Sequence, residues 1–102
     1  MKFTFSDRVE VPKDVLVRFV AGETVLLNLD TEFYYGLDDI GTRMWQVVTA
    51  AASIEQAYEE LLSEFDVEPD LLRRHLSELV NRLADLGLLR VNDSNVEVDP
   101  AI

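Results

Sequence analysis

Residues 25–45 (VLLNLDTEFYYGLDDIGTRMW) place the strongest constraint on how this chain can fold. Residues 25–29 are almost all apolar, as is typical of a strand that is covered on both faces. Residues 30–32 have side chains that favour a turn, and the aromatic residues after them favour a second strand over 33–37. Asp38 or its neighbour can then cap a helix, since a carboxylate accepts hydrogen bonds from free backbone N–H groups. Two strands that lead directly into a helix predict a small α+β domain.

A further strand precedes this stretch. Residues 15–20 (VLVRFV) have strand-forming side chains, and Ala21 and Gly22 supply a two-residue bend before the chain turns back. Together with residues 25–29 and 33–37 they predict a three-stranded antiparallel meander. The middle strand of a meander is paired on both sides, so the first and third strands each keep one free edge.

Three helical segments follow the predicted sheet. The first covers about residues 39–51, and the second begins at a capping box formed by Ser53 and Gln56. Pro69 marks the first position of the third helix, because its missing N–H is not needed there. Gly87 can end that helix in a left-handed conformation. The third helix carries leucine at positions 72, 76, 79, 83 and 86, with steps of four and three that place them on one face.

Strands grouped before helices predict an α+β, winged-helix-like fold, in which three helices lie on one face of a three-stranded antiparallel sheet. With 102 residues the chain is long enough for one domain with a modest core. We predict a single domain over residues 1–91. Residues 92–102 are polar and acidic, and we predict that they form a flexible tail.

The net charge of −11 disfavours nucleic acid and anionic membranes as partners, because both carry negative charge themselves. The chain has no cysteine, so a disulfide framework and thiolate chemistry are excluded. It also lacks an apolar run long enough to span a membrane, and its first residues lack the apolar segment of a signal peptide. These features predict a cytoplasmic protein.

No group of side chains in the sequence has the composition of a catalytic or metal site. His75 is the only histidine, so a histidine relay or a two-histidine metal site lacks its partners. The series Asp66, Glu68 and Asp70 lacks the central glycine and the closing glutamate of a calcium loop. The glycines are isolated, which excludes a phosphate-binding loop. We therefore predict a protein that is not an enzyme and that holds no cofactor or metal.

Two surfaces remain as candidate binding sites. The first is the third strand, whose free edge beside aromatic side chains favours pairing with an extended peptide. The second is a strip beside the leucine stripe of the third helix, which a turn of 100° per residue builds from Arg73, Ser77, Val80 and Ala84. Its basic start can attract an acidic ligand group. Two alternatives stay open: residues 3–5 or a second copy of the chain covers the edge, and the arginines pair with neighbouring glutamates.

The same stretches resemble the PqqD-like domains, which are also called RiPP recognition elements. The resemblance rests on the apolar strand that ends in Leu-Asp, on the segment YYGLD, and on Gly41 followed by Trp45. It includes the close of the third helix, where Leu83–Leu89 follows the pattern Leu-x-x-x-Gly-Leu-Leu. It covers about residues 15–91, most of the chain.

This resemblance implies a winged-helix-like domain that binds the leader segment of a ribosomally made precursor peptide and presents it to a leader protease or modifying enzyme. In that family the leader adds as a strand to the third strand and lies in a groove against the third helix. Main-chain bonds are expected from the edge Glu32–Tyr35. The side-chain pockets are expected at Phe33, Tyr35, Leu76 and Val80. Arg73 and Arg74 are expected to hold an acidic group of the ligand. The full set of expected contacts is Glu32, Phe33, Tyr34, Tyr35, Arg73, Arg74, Leu76, Ser77 and Val80.

Free-standing members of this size include lasso-peptide leader binders and the peptide chaperone of the pyrroloquinoline quinone pathway. That chaperone usually shows Cys-Asp-Gly after the first helix, where this chain has residues 49–52 (TAAA). The YYGL segment and Trp45 are more similar to the lasso type, which is our leading interpretation. The alternatives are the quinone-pathway chaperone, a winged-helix DNA-binding regulator, and a structural dimer that uses the same strand edge.

Overall fold

The computed structural model describes residues 3–92, and within that range the chain forms five strands and three helices. The strands are β1 (Arg8–Glu10), β2 (Val15–Val20), β3 (Glu23–Asn28), β4 (Tyr34–Leu37) and β5 (Arg90–Asn92). The helices are α1 (Asp39–Ala50), α2 (Ile54–Glu64) and α3 (Pro69–Asp85). None of the helices in this range is both long and apolar enough to span a membrane. The predicted series of three strands and then three helices, and with it the α+β fold class, is confirmed.

The main sheet consists of β2, β3 and β4, in that order and antiparallel throughout. One row of paired residues joins Val17, Leu26 and Tyr35 across the three strands. Ala21 and Gly22 form the two-residue turn between β2 and β3, and both have positive φ (54° and 84°), as a tight hairpin turn requires. The meander predicted from the sequence is therefore confirmed.

A second, two-stranded sheet brings the two ends of the described chain together. In it β1 pairs with β5 in antiparallel fashion, and Val9 lies opposite Val91. We did not predict this sheet, because each strand has three residues and no hairpin turn joins them. Asn92, which we assigned to the tail, is the last residue of β5. The rest of the predicted tail, residues 93–102, lies outside the described residues.

The helices cover one face of the main sheet, which we call the inner face, and we call the opposite face the outer face. Burial alternates along β3, because Thr24, Leu26 and Asn28 are buried while Val25, on the outer face, is 42% exposed. The prediction that this strand is covered on both faces is wrong. Its continuous apolar run reflects an outer face that is itself apolar and that no helix in residues 3–92 covers.

The core lies between the inner face and the helices. The hydroxyls of Thr24 and Thr42 are 2.8 Å apart and join β3 to α1. After α3, Gly87 takes a positive φ of 74°, and Leu88 and Leu89 turn back into the core, as predicted. All three helices contribute fully or almost fully buried side chains: Trp45, Val48, Ile54, Leu61, Leu72, Leu76, Val80 and Leu83.

The starts of the helices follow the capping chemistry of the sequence. Asp38 caps α1, because its Oδ1 accepts a hydrogen bond from the N–H of Gly41 at 2.8 Å. Ser53 caps α2 in the same way, with its Oγ 3.1 Å from the nitrogen of Gln56. Pro69 is the first residue of α3, as predicted. The Asp38 cap fixes where β4 ends and α1 begins, which sets the geometry of the site described next.

Candidate functional site

β4 is an edge strand: β3 pairs with one side of it, and no strand within residues 3–92 pairs with the other side. The N–H of Asn28 donates to the carbonyl of Phe33 at 2.9 Å, which fixes which residues of β4 form hydrogen bonds with β3. Because successive residues alternate in direction, the main-chain groups of Tyr35 point towards β3. Those of Tyr34 and Gly36 point away from the sheet. The free edge of β4 therefore offers one N–H and one C=O from each of these two residues.

The N-terminal segment lies elsewhere and does not cover this edge. The ring of Phe5 packs edge-on against the ring of Tyr58 in α2, with 6.0 Å between the centroids. The carbonyl of Phe5 accepts a hydrogen bond from the N–H of Glu55, at the start of α2. The segment thus covers the start of α2. The alternative in which residues 3–5 cover the edge of β4 is excluded.

The residues predicted to line the edge take different positions around it. Glu32 belongs to the turn before β4, because its N–H donates to the carbonyl of Asn28 at 2.7 Å and its φ is 66°. Phe33 and Tyr34 are 54% and 72% exposed, whereas Tyr35 is half-buried and packs against the core. Within the expected edge Glu32–Tyr35, the main-chain groups of Tyr34 point outward, and those of Gly36 continue the edge one outward residue further.

The two ends of α3 lie near the two ends of β4, in the opposite order along the chain. At one end, the side-chain Nδ2 of Asn28 donates to the carbonyl of Gly87 at 2.8 Å, which ties the end of α3 to the start of β4. At the other end, Ile40, just after β4, and Leu71, in the first turn of α3, line one cavity.

The cavity has a volume of about 440 Å³, which is within the range of roughly 300–1,000 Å³ found for ligand sites. It lies between the start of α1, the α2–α3 connection and the start of α3. Three apolar side chains at its mouth are partly exposed: Ile40 at 50%, Val67 at 41% and Leu71 at 37%. The complete lining is Ile40, Met44, Glu64, Phe65, Asp66, Val67, Leu71, Leu72 and His75.

One of the acidic residues in the cavity wall is already paired. Arg43 donates from Nε to Oε1 of Glu64 at 2.8 Å and holds the second carboxylate oxygen as well. These hydrogen bonds lower the pKa of the Glu64 carboxyl below its usual value and raise that of Arg43. The Glu64 carboxylate is therefore ionised, and the guanidinium of Arg43 balances its charge. The cavity is mainly an apolar site.

Arg73, expected to hold an acidic ligand group, is engaged by the protein itself. Its guanidinium carbon lies 4.3 Å from the ring centre of Phe5 and 4.5 Å from that of Tyr58. Its Nη2 is 3.2 Å from Oε1 of Glu55. This is the alternative in which arginine pairs with a neighbouring glutamate. It also shows that this flank of α3 faces the N-terminal segment and α2.

The structure brings different residues of α3 to the cavity from those predicted. Leu76 and Val80 are 0% exposed, so in this conformation they belong to the core and do not line an open pocket. Ser77 follows Arg73 by one helical turn and is half-buried on the same flank. Leu71 and His75, each about 200° around the helix from Arg73, line the cavity instead. The sequence pattern defined the leucine stripe but not which of its two sides faces β4.

Replacing Arg73 with alanine is expected to lower the free energy of unfolding by about 1 kcal/mol, because it removes an ion pair and two ring contacts that are partly exposed. Peptide affinity should stay within about twofold. Urea unfolding and peptide titration of the same variant give both numbers. Arg18→Ala, at an exposed position on β2 away from the free edge of β4, is the control. A loss of affinity without a loss of stability would restore the predicted role of Arg73 as the holder of an acidic ligand group.

A three-stranded meander followed by three helices, with one free edge on the third strand, is the architecture of a PqqD-like domain. Residues 23–89 match the family described as coenzyme PQQ synthesis protein D (PqqD), and this segment is more than half of the chain. The chain therefore belongs to the PqqD family, and its resemblance to RiPP recognition elements is confirmed. No curated protein sequence matches the chain.

Two solved structures are similar to this one. The first, TbiB1 in complex with the TbiA(beta) leader peptide, is 27% identical, with a TM-score of 0.72 over 88% of this chain and 99% of that one. The second, a lasso peptide synthetase B1 complexed with the leader peptide, is 23% identical, with a TM-score of 0.73 over 81% of this chain and 98% of that one. The second likeness concerns the fold alone. Both cover almost the whole of the compared chain.

Proposed function

We propose that this protein is a non-catalytic adaptor that binds the leader segment of a ribosomally synthesised precursor peptide, of the lasso type. It presents the bound peptide in the cytoplasm to a leader protease or modifying enzyme. The observation that carries this proposal is the free edge of β4, with the outward main-chain groups of Tyr34 and Gly36, beside α3 and an apolar cavity.

The main-chain bonds of this edge are expected to fix the direction of the peptide rather than its sequence. An extended peptide that pairs with Tyr34 and Gly36 makes up to four hydrogen bonds. Each contributes a net of roughly 0.5–1.5 kcal/mol, since both partners give up water. That sum is too small for tight binding once the cost of association is included. Selectivity must therefore come from the side chains of the peptide.

The cavity supplies the first of these side-chain contacts. A peptide residue beside the end of β4, with its side chain on the inner face, lies next to Ile40 and Leu71. Burying an aromatic side chain there removes roughly 150–200 Å² from water, which at about 25 cal/mol per Å² contributes on the order of 4–5 kcal/mol. With the edge hydrogen bonds, this supports a dissociation constant between about micromolar and tens of nanomolar.

The similar structures support the same ligand class. TbiB1 and the lasso peptide synthetase B1 are both complexed with leader peptides. The family match supports a second candidate within the same class, a peptide chaperone for pyrroloquinoline quinone synthesis. The two candidates differ in the precursor that binds, so direct comparison of a lasso-type leader and a quinone-pathway precursor separates them.

A winged-helix DNA-binding regulator is the rival from another class. It would place α3 in the major groove, but Arg73 is paired with Glu55 and the chain carries a net charge of −11. A gel shift at low salt tests this alternative directly. Sequence-selective DNA binding under those conditions would contradict the adaptor proposal.

We expect a fluorescently labelled leader peptide, taken from a short precursor encoded beside this protein, to bind with a dissociation constant of about 10 μM or tighter. A scrambled peptide of the same composition should bind at least about tenfold more weakly, because it loses the spacing of its anchor residues. Labelled peptide is the appropriate reporter, since Trp45 is 3% exposed and does not line the cavity. Equal binding of both peptides, or a stable dimer that ignores them, would contradict the proposal.

A further inference from the structure

The free edge of β4 has a gap on the outer face. Gly36 is exposed there, and a Cβ built on it would meet no atom within 4 Å. Across the sheet, Gly36 pairs with Val25, whose side chain is 42% exposed. Tyr34, two residues earlier on the same face, is 72% exposed. The missing side chain thus leaves a notch at the rim of the sheet, bordered by Val25 on the β3 side and by Tyr34 along β4.

We propose that this notch is a second side-chain subsite of the peptide-binding edge and that it takes an aromatic or long aliphatic side chain. The proposal rests on the proposed function, because the occupant belongs to the peptide that pairs with β4. The outward N–H and C=O of Gly36 bring one peptide residue directly opposite it. Side chains of directly opposed residues lie on the same face of a sheet, so this one lies on the outer face beside the gap.

The chemistry of the notch selects an apolar occupant. A side chain that crosses Gly36 meets no competing side chain on that residue and reaches the exposed part of Val25. It also covers one flank of the Tyr34 ring. Both surfaces are otherwise in contact with water, so their burial contributes in proportion to the area covered. A large side chain covers both, whereas alanine or serine reaches neither.

The notch and the cavity lie on opposite faces of the sheet, which constrains the ligand sequence. Neighbouring residues of an extended peptide point to opposite faces. The residue that fills the cavity near Ile40 and Leu71 and the residue that fills the notch are therefore an odd number of positions apart. The ligand pattern follows: two large apolar residues separated by an odd step, with smaller or polar residues tolerated between them.

The test selects ligands from a library of random peptides displayed against the immobilised full chain. Each selected peptide is then scanned with alanine against the wild-type protein and against Gly36→Val, which fills the notch with a strand-compatible side chain. At one peptide position, the alanine substitution should weaken binding to the wild-type protein by about tenfold. The same substitution should weaken binding to the Gly36→Val variant by less than about threefold. Gly36→Ser, which fills less of the notch, should give an intermediate value.

Val20→Thr is the control, because Val20 is 63% exposed on the outer face of β2, away from the free edge of β4. It should leave every alanine cost unchanged. Selected peptides whose alanine costs are the same on the wild type and both Gly36 variants would overturn the notch and leave the adaptor function standing. A library in which no peptide binds would overturn the adaptor function itself.

Discussion

Replacing Asn28 with alanine is expected to lower the free energy of unfolding by about 3 kcal/mol and the melting temperature by roughly 10–20 °C. The Oδ1 of this buried side chain accepts hydrogen bonds from the N–H groups of Asp30 (2.8 Å) and Thr31 (3.0 Å). Its Nδ2 donates to the carbonyl of Gly87 at 2.8 Å. Each lost bond costs about 1 kcal/mol, and the groups left behind are partly buried. Urea and thermal unfolding of the variant measure the loss.

The chain contains a matched control for this experiment. Asn81 is half-buried, and its Oδ1 is buried without a hydrogen-bond partner among the described residues. Asn81→Ala should therefore change the free energy of unfolding by no more than about 0.5 kcal/mol. Equal losses at Asn28 and Asn81 would mean that the turn before β4 does not depend on the Asn28 hydrogen bonds, and the account of how α3 is tied to β4 would fail.

Replacing Leu71 with aspartate is expected to weaken peptide binding by at least about 30-fold and to lower the free energy of unfolding by no more than about 1 kcal/mol. Leu71 lines the cavity and is 37% exposed, so the substitution places a carboxylate where we expect an apolar side chain of the peptide. Desolvating that carboxylate costs about 2 kcal/mol or more, which corresponds to the stated factor. The position lies in the first turn of α3, where a negative charge favours the helix. Anisotropy titration of labelled peptide and thermal unfolding measure the two effects.

Val11→Asp serves as the control, because Val11 is 36% exposed, almost the same as Leu71, and does not line the cavity. This variant should bind peptide within about twofold of the wild type. If Leu71→Asp also binds within that range, the cavity is not part of the peptide site. If Val11→Asp weakens binding as strongly, the effect of Leu71→Asp comes from charge alone, since each variant adds one negative charge to a chain that already carries −11.

The elements with local signals were predictable from the sequence. The meander follows from the bend Ala21–Gly22 and from the turn after β3, and the helix starts follow from Asp38, Ser53 and Pro69. The β1–β5 sheet was not predictable, because Val9 and Val91 are far apart in sequence and their strands are short. A local pattern carries no information about which distant segment supplies a partner.

The candidate site was predictable in its position but not in its detail. The free edge follows from the meander, since the third strand has one neighbour. Which residues of β4 point outward at this edge depends on the hydrogen bond from Asn28 to Phe33, which the sequence does not specify. The cavity was missed because three separate segments build it, and residues such as Ile40 and Val67 show no shared pattern. Arg73 was assigned to a ligand because the ring and carboxylate that hold it come from other elements.

Amide hydrogen exchange of the free and peptide-bound protein, resolved by residue, tests the central claim most directly. No strand within residues 3–92 pairs with the N–H groups of Tyr34 and Gly36, so bound peptide should slow their exchange by at least about tenfold. Val17 and Phe19 provide the internal control. Leu29 N–H donates to the carbonyl of Asp14 at 2.8 Å, which fixes the residues of β2 that point towards β3. Because successive residues alternate, the N–H groups of Val17 and Phe19 point away from β3, at the opposite edge of the sheet. Slowed exchange at Tyr34 and Gly36 with no change on β2 is the predicted result; tight peptide binding that leaves Tyr34 and Gly36 unprotected would contradict the account.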